Sequence, residues 1–148
     1  MPGFWLMKSE PSVYPWAQLV REGHGFWDGV RNHLAKRHLM AMQVGEMAFF
    51  YHSNEGREIV GIMVITELAH PDPTDASGVF VQVGVAPVVT FVSPVTLRAI
   101  KAEPALADMA LLRLPRLSVQ PVTESAWVRI CDMSRTPKRV VAPRKLRG

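Results

Sequence analysis

The fold class is decided by residues 47–68, which read MAFFYHSNEGREIVGIMVITEL. Two runs within this stretch, 47–53 and 58–68, are rich in aromatic and β-branched residues, a composition typical of β-strands. The residues between them, Asn54 to Arg57, include Gly56 and form a good hairpin signal. We therefore predict a pair of antiparallel strands at the centre of the chain.

Further elements flank this hairpin on both sides. Strands are predicted over 4–8, 79–85, 88–92 and 117–119. Helices are predicted after Pro15, over 34–42, from Leu97 with an interruption at Pro104, and from the N-cap Thr123 to Cys131. Residues 25–32 are predicted as a glycine-punctuated loop.

The order of these elements narrows the architecture. The strands cluster in the middle of the chain, and no regular strand-helix-strand alternation is present, which argues against a doubly wound parallel sheet. We predict an α+β fold, with a curved, mostly antiparallel sheet or small barrel flanked by helices.

Length and composition indicate a folded protein of ordinary size. The 148 residues correspond to about one domain, and 48% hydrophobic with 20% charged residues excludes disorder as the main state. The single cysteine, Cys131, excludes an intrachain disulfide, and we expect it to be a packed thiol. No apolar run approaches the roughly 20 residues that a bilayer requires, and no signal-peptide pattern is visible. We expect a cytoplasmic protein, or a nuclear one if its source is eukaryotic, without membrane contact.

The positive charge is concentrated at the C-terminus. The chain carries a net charge of +4, but without the basic residues of 134–148 it has 11 basic against 13 acidic residues. We therefore predict a domain over 1–133 and a basic, flexible tail over 134–148. The tail is either a solubilising end or an arm that contacts nucleic-acid phosphates. Its basic residues are Arg135, Lys138, Arg139, Arg144, Lys145 and Arg147.

Sequence signatures of catalysis are missing. The histidines show neither an i, i+4 pair on a helix nor a His-x-Glu context, so no metal site is predicted. Gly56 and Gly61 have the spacing of a phosphate loop, but Ile62 and Met63 stand where lysine and a hydroxyl residue are required. We predict no catalytic residues and no cofactor.

Aromatic and hydrogen-bonding residues instead concentrate at the ends of predicted elements. They lie in four segments, 5–11, 27–32, 49–54 and 111–119. A planar ligand requires such a combination, because an aromatic face stacks on it while polar groups bind its edge.

Together these segments resemble the EVE domain family. The resemblance covers residues 4–131 and is carried, in order, by WLMKSEP, WDGVRN, VGEMAFFYHSN, IVGI, PDPT, DMALLR and RLSVQPV. It implies a PUA-like fold related to YTH domains, and a role in reading modified bases in nucleic acid. The chain departs from the family pattern at His33 and Leu34, where Tyr-Gln is usual, and in a short stretch between Thr74 and Val79.

The resemblance also implies a set of ligand-binding residues. Trp27 would form one wall of the base pocket, and the side-chain amide of Asn32 would pair with a base edge. The alternative for Trp27 is a buried core position, which we expect for Trp5, Trp16 and Trp127. Arg31 would contact a phosphate or pair with Asp28 or Glu10. The full predicted set is Lys8, Ser9, Trp27, Asp28, Arg31, Asn32, Tyr51 and Ser53.

The favoured hypothesis is a non-catalytic module that recognises a modified base, such as a methylated one, in DNA or RNA. One alternative is a hydrolase of modified nucleosides in which Lys8, Glu10 or Asp28 supplies acid–base groups. The other is a protein-interaction module whose aromatic residues fill the pocket. The sequence does not indicate an oligomeric state.

Overall fold

The computed structural model describes residues 3–137. Its strands form one open mixed sheet in the order β2-β5-β4-β3-β1-β6. The strands are β1 (Phe4–Ser9), β2 (Gly25–Trp27), β3 (Met47–His52), β4 (Glu58–Pro71), β5 (Val81–Thr96) and β6 (Val119–Val122). The helices are α1 (Trp16–Glu22), α2 (His33–Ala41), α3 (Leu97–Ala102), α4 (Ala110–Arg113) and α5 (Glu124–Met133), with a 3-10 turn at Pro104–Leu106.

The predicted α+β architecture is confirmed. Strands β1 and β3 pair in parallel, and the other neighbouring strands are antiparallel. The sheet is not closed into a barrel, so the open form of the prediction is the correct one. The predicted hairpin is present as β3 and β4, and Thr123 caps α5 by accepting a hydrogen bond from the Ala126 amide at 3.2 Å.

Two strands differ from the prediction. Strand β2 lies inside the predicted loop over 25–32, because three residues are too few to show an alternating pattern but can pair with β5. Strand β5 is continuous where two strands were predicted on either side of Pro87. The pairing register shifts beside this proline, and a proline is tolerated at such an irregularity because no ladder hydrogen bond is required there.

The sheet carries a hydrophobic core on each face. The first core contains Phe49 and Tyr51 of β3 and is covered by α3, α4 and α5, whereas the second contains Phe50 and is covered by α1 and α2. Successive residues of a strand point to opposite faces, so β3 supplies both cores. Trp127 stacks on Phe49 in the first core, with ring centroids 3.9 Å apart.

The expected core positions of three tryptophans and of the cysteine are confirmed. Trp5, Trp16, Trp127 and Cys131 are all buried. Burial, followed by the neighbouring Asp132 carboxylate, raises the pKa of the Cys131 thiol to about 12. The thiol is therefore protonated and packed at neutral pH.

Packing continues past the predicted domain boundary at residue 133. The Ser93 amide donates to the Ser134 carbonyl at 2.9 Å, and the Val92 amide donates to Thr136 Oγ1 at 3.2 Å. Ser134 and Thr136 are buried, so the first residues of the predicted flexible tail belong to the fold. Their hydrogen bonds give the backbone amides of Val92 and Ser93 in β5 an acceptor. Residues 138–148 lie outside the described part of the chain.

The helices of residues 3–137 include none that is both long and apolar enough to span a membrane.

A buried carboxylate fixes the start of β1. Glu46 is 4% exposed and accepts hydrogen bonds from Trp5 Nε1 at 2.9 Å, from the Gln43 amide at 2.8 Å and from the Gly3 amide.

We predict that Glu46→Ala lowers the free energy of unfolding by about 2 kcal/mol or more, since buried donors lose their acceptor. Urea denaturation measures this change. The exposed Glu55→Ala serves as control and should change stability by less than about 0.5 kcal/mol; equal effects of the two substitutions would contradict the assignment.

Candidate functional site

A cavity of about 250 Å³ lies where β1 ends, beside β2 and the loop that follows β2. It is smaller than the roughly 300–1,000 Å³ typical of drug-sized ligands, so a single flat ring suits it better than a larger molecule. The lining residues are Lys8, Ser9, Glu10, Val13, Tyr14, Phe26, Trp27, Asp28 and Gly29. The structure thus brings four of the predicted site residues together: Lys8, Ser9, Trp27 and Asp28. We call this space the Trp27 cavity.

Trp27 is both a core residue and a wall of the cavity. Its side chain is 5% exposed and belongs to the second core. The indole contacts Phe50 and Tyr14 in perpendicular arrangements, with centroid separations of 5.2 and 6.1 Å. These contacts hold the ring in a fixed orientation, so no side-chain entropy is lost when a ligand packs against it.

Tyr14 is a lining residue that the sequence analysis did not select. Its hydroxyl oxygen is buried and has no hydrogen-bond partner among residues 3–137. Burial, and then the carboxylates of Glu22 and Asp28, raise the pKa of this phenol. The hydroxyl lies over Gly25, where a Cβ atom would stand 2.2 Å from it, so a larger residue at 25 would require the Tyr14 ring to shift. In the sequence, a glycine directly before the aromatic pair Phe26-Trp27 was the one indication that another side chain packs closely against the backbone at residue 25.

Ser9 connects β1 to the same lining residue. Its hydroxyl donates to the Tyr14 carbonyl at 2.8 Å, and this bond fixes the turn between β1 and α1. The oxygen keeps lone pairs that can accept a further hydrogen bond. Asp28, by contrast, is exposed and presents a carboxylate at the cavity.

The loop after Trp27 is held by Asp72. This buried carboxylate accepts hydrogen bonds from the Gly29 amide at 2.8 Å, from Arg31 Nη1 at 3.0 Å, and from the Thr74 amide and hydroxyl at 2.8 and 2.6 Å. Burial by itself would raise the pKa of Asp72, but the bonds from Thr74, Gly29 and Arg31 outweigh it and lower the pKa to about 2. We call this arrangement the Asp72 clamp.

Arg31 belongs to the clamp and not to the cavity lining. Its guanidinium pairs with Asp72, donates to Thr74 Oγ1 at 3.0 Å and lies 5.6 Å from the centroid of the Phe80 ring. The ion pair suggested with Asp28 or Glu10 is therefore wrong, because the 72–74 loop packs closer to Arg31 than either carboxylate. This partner is 41 residues away in the sequence, so spacing alone could not indicate it.

Asn32 lies in a second depression. Its Oδ1 accepts a hydrogen bond from the Ala35 amide at 2.9 Å and caps α2, which leaves the amide nitrogen as its remaining polar group. This depression, of about 350 Å³, is lined by Asn32, Leu34 and residues 113–117. The Lys8 ammonium donates to the carbonyl of Pro115 at 2.7 Å, so Lys8 borders both spaces.

Tyr51 and Ser53 do not line the Trp27 cavity. Tyr51 is 3% exposed and packs in the first core, on the opposite face of the sheet, where the Lys8 ammonium lies 5.9 Å from its ring centroid. Burial lowers the pKa of Lys8. The Ser53 amide donates to the Ser9 carbonyl at 2.9 Å, which places Ser53 next to the lining through the backbone only. On the cavity side β3 presents His52, whose Nε2 accepts from the Trp16 amide at 3.1 Å.

The remaining predicted groups can be placed only in part. Arg135 is exposed just after α5, whereas Lys138, Arg139, Arg144, Lys145 and Arg147 lie outside the described residues. Within residues 3–137 no group of three or more histidine, cysteine, aspartate or glutamate side chains is arranged to hold a metal ion.

Comparison with known proteins is consistent with this fold. A family model described as EVE domain matches residues 3–133. The NMR structure of Rpa0253 from Rhodopseudomonas palustris is 56% identical with a TM-score of 0.85, over 90% of this chain and 93% of that chain. The crystal structure of human THYN1 in complex with 5-methylcytosine-containing DNA is 30% identical with a TM-score of 0.84, over 91% of this chain and 99% of that chain.

A more distant likeness concerns the fold alone. The YTH domain of MRB1 from Zygosaccharomyces rouxii, solved with N6-methyladenosine RNA, is 16% identical with a TM-score of 0.60, over 90% of this chain and 86% of that chain. Among curated sequences, the chain spans between 22% and 38% of the length of the vertebrate thymocyte nuclear protein 1 sequences that it matches.

The Asp72 clamp predicts a specific loss of stability in acid. Because the pKa of Asp72 is about 2 in the fold against 3.8 ordinarily, its stabilisation is complete above pH 3.8 and disappears as the pH falls through 2. The shift corresponds to about 2 kcal/mol. We expect Asp72→Asn to unfold at lower urea concentration at pH 6 and to lose less stability than wild type between pH 5 and pH 2.

Asp108→Asn is the matched control for this prediction. Asp108 pairs with Arg113 at 2.6 Å on the surface, and its side chain is 89% exposed. Exposed pairs contribute at most about 1 kcal/mol, so this variant should follow the acid profile of wild type. An Asp72→Asn profile that also follows wild type would contradict the clamp.

Proposed function

Because the chain belongs to the EVE domain family, we propose that it is a non-catalytic module that binds nucleic acid carrying a modified base. The observation that carries the proposal is the Trp27 cavity, which has the size for one heterocycle and an aromatic wall. The likeness to human THYN1, solved with 5-methylcytosine-containing DNA, supports the same conclusion. The base would enter the cavity from a single strand, or after it is flipped out of a duplex.

The aromatic wall supplies the sequence-independent part of the binding energy. A base that packs against Trp27 gains stacking worth roughly 1–3 kcal/mol, whichever base it is. Phe50 and Tyr14 already immobilise the indole, so this energy is not offset by ordering the protein side chain.

The polar lining favours a base edge that donates hydrogen bonds. Glu10 and Asp28 line the cavity with carboxylates, which accept hydrogen bonds. The exocyclic amines of cytosine and adenine are such donors. The Ser9 hydroxyl supplies a further hydrogen-bonding group, and the buried Tyr14 hydroxyl has no partner among residues 3–137. A base with an exocyclic amine, which includes modified cytosine and adenine, therefore suits the lining better than thymine or uracil, which have none.

A methyl group cannot supply strong selectivity by itself. Burying one methyl contributes about 0.8 kcal/mol, which corresponds to about a fourfold preference. A larger preference requires that the unmodified base leave part of the cavity unfilled or hydrated.

The phosphates must bind elsewhere, because carboxylates at the cavity repel them. Two candidates are Arg116 and Arg113, the second already paired with Asp108, in the depression that Lys8 borders. We propose that the backbone of the strand passes over this depression, with Asn32 offering its side-chain amide N–H groups there. The basic residues from Arg135 onward add long-range attraction.

Exchange of tryptophan for phenylalanine on the two faces of the sheet tests the cavity. Trp27→Phe should weaken binding of a short single strand containing 5-methylcytosine by about tenfold, since stacking area at the wall is lost. Trp127→Phe makes the same change in the first core, away from the cavity, and should leave affinity unchanged. Fluorescence anisotropy measures the affinity, and circular dichroism verifies that both variants are folded.

Equal affinities of the two variants would contradict the cavity as the binding site. Mass spectrometry of modified nucleosides after incubation distinguishes the hydrolase alternative, because a binding module returns its ligand unchanged. If neither modified nucleosides nor modified strands bind to wild type, the module is better explained by protein interaction.

Truncation after residue 137 tests the basic tail without disturbing Ser134 and Thr136. It removes Lys138, Arg139, Arg144, Lys145 and Arg147. We expect the slope of log affinity against log salt to decrease by about 0.7 for each lost contact to a single-stranded phosphate. The preference for modified over unmodified strands should persist; its loss would place the tail in base recognition, and an unchanged slope would make the tail a solubilising end.

A further inference from the structure

We propose that Phe26, with His24 and His70, forms a second nucleobase site: a stacking platform for the nucleotide next to the one in the Trp27 cavity. This inference rests on the proposed function and deepens it. It concerns a residue that the sequence analysis did not select. We call the three rings the Phe26 platform.

The exposure of Phe26 requires an explanation. The side chain is 42% exposed, on the edge strand β2, and belongs to neither hydrophobic core. Its cross-strand partner is Gly84, so no side chain from the paired position covers the ring. A large apolar side chain in this position gains little from folding, because much of its surface remains in water.

Two imidazoles hold the ring in place. His24 and His70 lie nearly perpendicular to Phe26, at interplanar angles of 87° and 89° and centroid separations of 5.1 and 5.5 Å. Rings that meet at right angles cannot cover one another fully, so the cluster keeps aromatic surface for a further partner.

The imidazoles are themselves fixed by hydrogen bonds. His70 Nδ1 lies 2.9 Å from the Leu68 carbonyl and must carry the hydrogen, so Nε2 accepts from the side-chain Nε2 of Gln82 at 3.0 Å. His24 Nε2 lies 3.1 Å from Thr66 Oγ1 and 3.6 Å from the Glu67 carboxylate. The platform is therefore organised before any ligand binds, and a ligand need not offset the ordering of these side chains.

The chemistry of the platform favours a base over a phosphate. Glu67 beside His24 is half exposed and carries a negative charge, which repels phosphate. Base stacking on an aromatic ring is tolerant of sequence because every base has a π face. The platform would therefore hold the neighbouring nucleotide without selecting its identity.

The position of the platform specifies which nucleotide it holds. Phe26 and Trp27 are consecutive on the edge strand β2, so their side chains point to opposite faces of the sheet, but both residues line the Trp27 cavity. A base inside the cavity thus leaves its neighbour in the strand at the rim, next to Phe26. The depression with Arg113 and Arg116 lies next to Lys8, which donates to the Pro115 carbonyl. In the proposed function this depression binds phosphates of the strand. The platform and the depression would therefore bind different parts of the nucleic acid.

Two probes separate the platform from the cavity. One is the nucleoside 5-methyl-2′-deoxycytidine, and the other is a single-stranded pentanucleotide with 5-methylcytosine at its centre. In the full chain, Phe26→Ala should weaken binding of the pentanucleotide by about tenfold, in line with the loss of one stacked base. Binding of the nucleoside should weaken by a much smaller factor, since Phe26 only borders the cavity that holds it, and Phe26→Trp should retain pentanucleotide affinity.

Two controls sharpen the assignment. Val92→Ala removes another exposed apolar side chain, 67% exposed on β5, and should change neither affinity. An abasic residue on the side of the central base that stacks on Phe26 should weaken wild-type binding by the same factor as Phe26→Ala. The same probe should cause no further loss in Phe26→Ala.

The proposal is overturned if Phe26→Ala leaves pentanucleotide affinity unchanged, or weakens nucleoside and pentanucleotide binding equally. It is also overturned if abasic substitution and Phe26→Ala add independently. Failure of the proposed function looks different, because wild type would then bind neither probe, and both proposals would fall together.

Discussion

The buried Asp72 carboxylate is the interaction on which the candidate site depends. It lies just beyond β4 and accepts four hydrogen bonds from two loops that are distant in the sequence. Through the Gly29 amide and Arg31 it sets the path of the chain directly after Trp27. A carboxylate can be buried only when its charge is compensated, so the two loops and Arg31 must assemble together. The clamp thereby connects the loop after Trp27 to the turn between β4 and β5.

The sheet provides the second constraint, because both of its faces are buried. Strand β3 places Phe49 and Tyr51 in one core and Phe50 in the other. Phe50 contacts Trp27, so the Trp27 wall of the cavity is an extension of the second core. Stability and the proposed binding are linked through this contact. Substitutions that remove Trp27 entirely would disturb both, and exchanges that preserve most of its volume are more informative.

Polar residues of the predicted site divide between structural and ligand-facing roles. Arg31 and Asn32 follow Trp27 in one motif, yet the guanidinium serves the Asp72 clamp and the Asn32 oxygen caps α2. Tyr14 shows the reverse, since it lines the cavity and its buried hydroxyl has no partner among residues 3–137. A base-binding site built on loops requires such structural residues beside the ligand-facing ones, because loop backbone has no sheet ladder to fix it.

Local patterns in the sequence determined the α+β class, the β3–β4 hairpin, the Thr123 cap and the burial of three tryptophans. Each depends on neighbouring residues, and the seven family motifs indicated the EVE resemblance in the same way. Only the tertiary structure decided that Arg31 pairs with Asp72, that β2 is a strand, and which predicted residues surround the cavity. Because side chains alternate along β3, either Tyr51 or His52 could lie on the face of the sheet that carries Trp27. No neighbouring residue distinguishes these two arrangements. The choice follows from which helices cover each face, a contact between distant parts of the chain that no spacing encodes.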